Sequence, residues 1–155
     1  MQILEAAVKT ADELTDIAMS AKAFWGYSEE FMQGCKEELR VTSDKIQDKD
    51  FRYFVAVQEQ QILGFYCLQR RSNDELELEA LFVKPEYIGK GVGKALFEHA
   101  LAQAITQKVN SIEIQSDPNA EDFYLAMGAK RIGELPSGSI PGRVLPLMRV
   151  NLEGA

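Results

Sequence analysis

The stretch Val83-Lys84-Pro85-Glu86-Tyr87-Ile88-Gly89-Lys90-Gly91-Val92-Gly93-Lys94-Ala95-Leu96 places three glycines at alternate positions between a strand-like run and a helical one. Glycine tolerates positive φ and lets a ligand approach the main chain. Successive N–H groups there can form an anion-binding nest. A helix that starts immediately afterwards adds free N–H groups and the positive end of its dipole. A diphosphate suits such a turn. Two common phosphate loops do not fit. A P-loop needs glycine at 88 and Ser or Thr at 95, where the chain has Ile88 and Ala95. A dinucleotide fingerprint started from Gly89 meets Lys94, and from Gly91 meets Leu96. The plainer reading is a tight strand-to-helix turn.

Upstream, Glu75–Val83 alternates strictly at its start, which predicts a strand with Glu77, Glu79, Leu81 and Val83 on one face. Downstream, Leu96, Ala100, Leu101 and Ala104 predict a helix over Gly91–Thr106. Ser111–Gln115 reads as a short strand and Asn119–Met127 as a helix stopped by Gly128. Lys130–Glu134 and Val144–Leu152 read as closing strands, with Pro146 near the edge of the second.

The N-terminal half begins with a predicted strand, Gln2–Val8. Thr10 or Asp12 is expected to cap a helix carrying Leu14, Ile17, Ala18 and Ala21. Phe24-Trp25-Gly26-Tyr27 breaks that pattern. Ser28 suits the N-cap of a second helix reaching Leu39, with Glu29 and Glu30 in its first turn. Strands Arg52–Val57 and Ile62–Arg70 follow, joined by a hairpin at Glu59-Gln60-Gln61, with a turn at Ser72-Asn73-Asp74. The order implies an α/β (α+β) fold: a mixed, mostly antiparallel sheet of about seven strands with helices on both faces.

The 155 residues suit one domain over 1–155, and 46% hydrophobic with 26% charged residues is an ordinary globular balance. The net charge of −7 argues against nucleic-acid or anionic-membrane partners; it suits a cationic small substrate and equally a soluble acidic protein. Cys35 and Cys67 are expected to be free, buried thiols, and with His99 as the one histidine no metal-ligand spacing emerges. No signal peptide or bilayer-length apolar run is visible, so a cytoplasmic location is expected.

Pro85-Glu86-Tyr87, Gly89-Lys90-Gly91-Val92-Gly93 and Leu96 together resemble the acetyl-CoA signature of the GNAT superfamily of N-acetyltransferases. Asp117-Pro118-Asn119-Ala120-Glu121, Phe123-Tyr124 and Met127-Gly128-Ala129 are similar to that family's second motif. Motif-level resemblance covers about residues 75–130. It implies a V-shaped sheet splayed beside the pantetheine, with the turn on the pyrophosphate and acetyl-CoA as co-substrate. One departure is Ile88, where the family usually has Gln or Arg. Main-chain N–H groups supply most of the cradle, so weaker or rearranged contacts are expected rather than none. Ile88, Gly89, Lys90, Gly91, Val92, Gly93 and Lys94 are the expected phosphate-side residues. Lys90 and Lys94 either add charge there or are ordinary surface lysines. The resemblance also places the main chain of Leu81, Phe82 and Val83 beside the thioester and pantetheine, and Asn119 against the pantetheine; Asn119 alternatively N-caps its helix.

The family's base positions match Glu77 and Glu79. Two such carboxylates on one strand face lie about 6–7 Å apart. Repulsion and burial would raise the pKa of at least one, giving a general base acting through water. The alternative is a solvent-facing row of glutamates. Tyr124 matches the tyrosine that protonates the departing thiolate; its neighbour Phe123 points about 100° away and is expected to be core. Tyr124 as a core aromatic is the alternative.

For the acceptor, Trp25 and Tyr27 either hold an amine by cation–π contact or anchor the chain hydrophobically. Arg143, in the loop Ser137–Arg143, either binds an acceptor carboxylate or phosphate or belongs to an exposed hairpin. The reading is an N-acetyltransferase acting on a primary amine of a small molecule, with a homodimer compatible. The alternatives are a protein N-terminal or lysine acetyltransferase and a non-catalytic acyl-CoA sensor.

Overall fold

In the computed structural model, residues 1–152 are described; the last three residues of the domain expected over 1–155 lie outside them. Seven strands and five helices alternate in the order β1 (Gln2–Glu5), α1 (Ala11–Ala23), α2 (Glu29–Leu39), α3 (Ser43–Gln47), β2 (Phe51–Gln58), β3 (Gln61–Arg70), β4 (Glu75–Val83), α4 (Val92–Thr106), β5 (Ser111–Gln115), α5 (Glu121–Ala126), β6 (Lys130–Pro136) and β7 (Val144–Asn151). They build one sheet in the order β1-β2-β3-β4-β5-β7-β6. Every neighbouring pair is antiparallel except β4–β5. The α4 crossover makes that one parallel pair, because parallel neighbours cannot be joined by a tight hairpin.

Local chemistry explains the element boundaries. The Ser28 hydroxyl accepts the Phe31 N–H at 3.1 Å and starts α2 as expected. The β2–β3 hairpin turns on Glu59 and Gln60, both left-handed at φ 52° and 66°, which matches the strand twist. Three differences from the sequence reading have local causes. β1 stops at Glu5, because Val8–Thr10 closes a 3-10 turn in which the Thr10 hydroxyl donates to the Ala7 carbonyl at 2.6 Å. That hydroxyl therefore does not cap α1. The unforeseen α3 is a single short helix whose first turn is held by Thr42 accepting from Lys45 N–H. The last strand, β7, lies inside the sheet, and Pro146 sits where its pairing with β5 ends, forgoing only the bond its N–H would have made back to Ser116. Its carbonyl accepts from Ser116 N–H at 3.0 Å, beyond the end of β5, and the missing N–H would point the same way.

Each sheet face has its own core. Leu76, Leu78, Ile112, Ile114 and Met148 pack with Leu96 and Phe97 of α4 on one side. Leu14 and Ile17 of α1 pack with Val55, Phe65 and Cys67 on the other. Both thiols, Cys35 and Cys67, are buried and unpaired. Among the described residues no helix is long and apolar enough to cross a membrane.

His99 of α4 is bonded to the buried Tyr66 hydroxyl through Nδ1 at 2.7 Å and lies tilted against Phe54. Burial, and then the Arg52 charge, hold its pKa below the ordinary value of 6.5. Protonation puts hydrogens on both ring nitrogens and removes the acceptor. The folded state therefore binds this proton less readily than the unfolded chain, and stability falls as pH drops below 6.5 toward the lower folded value. Melting followed from about pH 8 to about pH 5 should show this loss, and His99→Gln should remove that part of the slope.

Candidate active site

The sheet opens where its parallel pair ends. Only Glu75, Glu77 and the intervening Leu76 of β4 pair with β5; the rest of β4, to Val83, has no partner on that side. Its main-chain groups there face a cavity of about 600 Å³ rather than another strand. Leu78 to Val83 form one wall, and Ile114 to Asp117 with Asn119 form the other.

The glycine turn closes one end of this cleft. Gly89 and Gly91 adopt φ of 81° and 85°, and a side chain built on either would meet nothing within 4 Å. Open space with left-handed backbone is a requirement on conformation rather than on volume. Gly93 differs: its φ is not positive, and its added Cβ would sit 3.5 Å from the Phe123 ring. Gly91 is the N-cap of α4 and no side chain caps the helix. The first intrahelical bond runs from Ala95 N–H to Gly91 carbonyl, so the N–H groups of Val92, Gly93 and Lys94 are left for a ligand. Ile88, Gly89, Gly91, Gly93 and Lys94 line the cleft. The Val92 side chain is instead buried in the α4 core, and Lys90 lies over the Tyr87 ring at 5.7 Å, so neither side chain joins the lining. The residues present fit a pyrophosphate. Gly91→Val would force a β-branched residue into left-handed backbone, a strain of order 1–3 kcal/mol. The expected result is a lower melting temperature and a coenzyme A dissociation constant raised about tenfold or more by calorimetry.

One expectation about β4 needs correction. Glu77 and Glu79 do share a face, but Leu81 and Val83 do not share it with them. Leu81 and Val83 pack with the α4 core, as Leu76 and Leu78 do, whereas Ala80 and Phe82 pack with the α1 core. The cause is a bulge. Cys67 pairs with Ala80 and Leu68 with Leu78, so Glu79 is an extra residue without a partner on β3. A bulge reverses the alternation beyond it. The short β4–β5 ladder and this bulge both fall beside Glu79.

The two carboxylates sit in different surroundings. Glu77 is 9% exposed, and its Oε1 is bonded to the Arg71 guanidinium and reached by Gln115 Nε2 at 3.4 Å. Glu79 has no such cation on it. Burial holds its pKa above the usual carboxylate value; Lys45 is the next contribution and opposes this, and repulsion from Glu77 and Glu38 adds to it. Nearby Tyr53 and Cys67 are pushed up by burial and by Glu79 itself, so both stay protonated and uncharged.

Tyr124 is more buried than Phe123, the reverse of the expectation that Phe123 is the core residue of the two. Tyr124 is 6% exposed and belongs to the α4 core, while Phe123 packs half-buried beside Gly93. Both line the cleft, and the Tyr124 hydroxyl has no hydrogen-bond partner among the described residues. Burial, then Asp117, keeps its phenol protonated beyond the ordinary range.

The far wall holds a constellation that sequence reasoning missed. Asp117 receives Lys22 Nζ at 2.9 Å, the Tyr27 hydroxyl at 2.9 Å and Arg143 Nη2 at 3.2 Å. Arg143 also donates to the Tyr27 oxygen at 2.7 Å and lies over the Phe31 ring at 4.7 Å. Asn119 donates to Tyr27 and to Asp117, at 2.9 and 3.0 Å. It therefore caps no helix; Asp117 performs that task by accepting Asn119 N–H at 2.8 Å. Tyr27 does not line the cleft. One face is stacked on Phe31 at 4.1 Å, Lys22 and Arg143 also approach its ring, and its pKa is raised to about 12, chiefly by burial. Its aromatic surface is thus used within the protein. Of Trp25 and Tyr27, Trp25, 44% exposed, is the one that reaches the cleft. Asp117 before Pro118 signals a cap in the sequence, but nothing there announces its partners 95 residues upstream and 26 downstream.

Residues 10–136 match the family described as "Acetyltransferase (GNAT) domain". The chain belongs to the GNAT acetyltransferase family. Among its GNAT relatives, a peptidyl-lysine N-acetyltransferase, YjaB, from Escherichia coli (strain K12) is 34% identical over 105 residues, spanning 66% of this chain and 65% of that one. An N-acetylaspartate synthetase from Danio rerio is 28% identical over 94 residues, spanning 58% of this chain and 33% of that one. The chain thus matches less than two thirds of the length of either relative. The crystal structure of the PaiA N-acetyltransferase from Thermoplasma acidophilum, in complex with coenzyme A, superposes with a TM-score of 0.76 at 21% identity, covering 97% of this chain and 98% of that one. The mixed, mostly antiparallel sheet read from the sequence is this GNAT fold.

Proposed function

We propose that this chain transfers an acetyl group from acetyl-CoA to the primary amine of a small molecule, with Glu79 as base and Tyr124 as acid. The observation that carries the reading is one cleft lined by three features: the uncapped start of α4, the half-buried Glu79 at the bulge, and the Tyr124 hydroxyl without a partner among the described residues. The neighbouring structure with coenzyme A bound supports the donor.

On this reading the N–H groups of Val92, Gly93 and Lys94 hold the pyrophosphate. Unpaired main-chain N–H groups of β4 beyond Glu77 orient the pantetheine and polarise the acetyl carbonyl. Glu79, ionised, accepts a proton from the acceptor ammonium, directly or through one water. The freed nitrogen lone pair forms the C–N bond as the C–S bond breaks, and Tyr124 donates its phenolic proton to the departing sulfur; the second proton of the acylated nitrogen passes through water to the Tyr124 phenolate, and Glu79 releases the first to solvent. The Arg71 and Gln115 contacts already made by the Glu77 carboxylate favour Glu79 over Glu77 as the base.

The Escherichia coli relative's name favours a second reading, a peptide lysine as acceptor. The enclosed Lys22–Asp117–Arg143 wall favours the small amine. Thiol release from acetyl-CoA, measured over small primary amines and lysine peptides, tests the proposal. Turnover on small amines is expected. Coenzyme A binding without release on any acceptor would make the chain a sensor.

A further inference from the structure

Charge in the cleft is divided between its two walls. On the β4 side stand Glu79 and Glu38, with Glu77 already paired to Arg71. Arg40 also lines the cleft, paired with the exposed Glu37 at 3.7 Å, and Lys94 belongs to the glycine turn. On the opposite wall, Lys22 and Arg143 share the single carboxylate of Asp117. Their side chains are 13% and 15% exposed, and that of Asp117 is 14%. The remaining members, Tyr27 and Asn119, are uncharged. Two cations against one anion leave one positive charge without a carboxylate among the described residues, with only the ring faces of Tyr27 and Phe31 beside it, on a wall largely removed from water. A nearly buried surplus charge is costly unless something pairs with it. The surplus is cationic in a chain whose net charge is −7, so it is not part of a generally basic surface. Lys22 and Arg143 come from opposite ends of the chain, and both still line the cleft.

We infer that the acceptor is an amine that also carries an anionic group, a carboxylate in the simplest case, held by Lys22 and Arg143 while its amine is directed to the Glu79 side. This rests on the proposed acetyl transfer and narrows it. An amino acid or a related amino-carboxylate matches both walls. A polyamine or an amino sugar bearing only cations places charge against Lys22 and Arg143 and is disfavoured.

The test uses matched pairs: several amino acids of short and long amine-to-carboxylate spacing, each against its carboxamide, with a lysine peptide alongside. Thiol release gives kcat/KM, and calorimetry on the protein saturated with coenzyme A gives binding. Each carboxylate is expected to exceed its amide about tenfold or more. Lys22→Met should bring that ratio toward one, the change falling on the acceptor KM rather than on that of acetyl-CoA. Asp117→Asn should do the opposite and increase the ratio, because it removes the competing carboxylate while its Oδ1 still caps the turn. A merely structural latch would weaken in both variants. Should Lys22→Met fail to fold, Asp117→Asn decides alone. Equal handling of acid and amide overturns the inference, as does a lysine peptide preferred over every amino-carboxylate. A Lys22→Met effect on acetyl-CoA alone overturns it too, by assigning the anion to the donor's phosphates. Binding that prefers the carboxylate without any thiol release leaves this inference standing and removes the acetyl-transfer reading.

Discussion

Glu79→Gln should lower kcat by about two to four orders of magnitude, the usual worth of a positioned general base. Glutamine keeps the shape and a hydrogen-bonding carbonyl, so packing against Tyr53 and Cys67 at the bulge is retained. What is lost is the acceptor of a proton. Coenzyme A affinity should change little, because the glycine turn lies at the other end of β4. The pH profile supplies the sharper reading. Burial raises the Glu79 pKa above 4.5, so activity falls as pH drops through that raised value, when the base becomes protonated. This acid limb should vanish in Glu79→Gln. Glu77→Gln should keep the limb, since Glu77 is engaged by Arg71. If Glu77→Gln abolishes activity and Glu79→Gln does not, the assignment is reversed.

Tyr124→Phe carries the second large effect, a fall in kcat of about two orders of magnitude or more. The substitution is a clean probe for a structural reason. The Tyr124 hydroxyl bonds no group among the described residues, so its removal strands no donor or acceptor there, and the ring keeps its contacts with Phe97 and Phe123. Melting temperature should therefore stay close to that of the wild type while thiol release collapses. The wild-type phenol is held above its ordinary value of 10.0, so no alkaline fall in rate from Tyr124 is expected below that pH. Wild-type turnover in Tyr124→Phe would remove its role as the acid.

Much of this was legible in residue order. Alternation, helical spacing and the Ser28 cap located the principal elements, because those signals arise from neighbours in sequence. The glycines at 89 and 91 marked a left-handed turn before a helix, which is again a local demand. In β4 the alternation fails at Glu79. A bulge depends on how two strands register, and nothing in Glu75–Val83 alone announces that Leu68 skips Glu79 to pair with Leu78. Likewise, Phe123 and Tyr124 both pack against the α4 core and both line the cleft, and which of them is covered more depends on where α5 settles.

By itself, the order of amino acids determined the elements, the conformation of the phosphate-type turn and the kinds of side chain available for acid, base and anion contacts. These follow from backbone sterics and periodicity, whose reach is a few residues. Only the tertiary structure decided which glutamate keeps a free carboxylate, because Arg71 must fold back onto Glu77 to take the other out of play. It alone brought Lys22, Tyr27, Asp117 and Arg143 together. Attractions among groups so far apart in the chain exist only after the sheet has closed loop after loop between them.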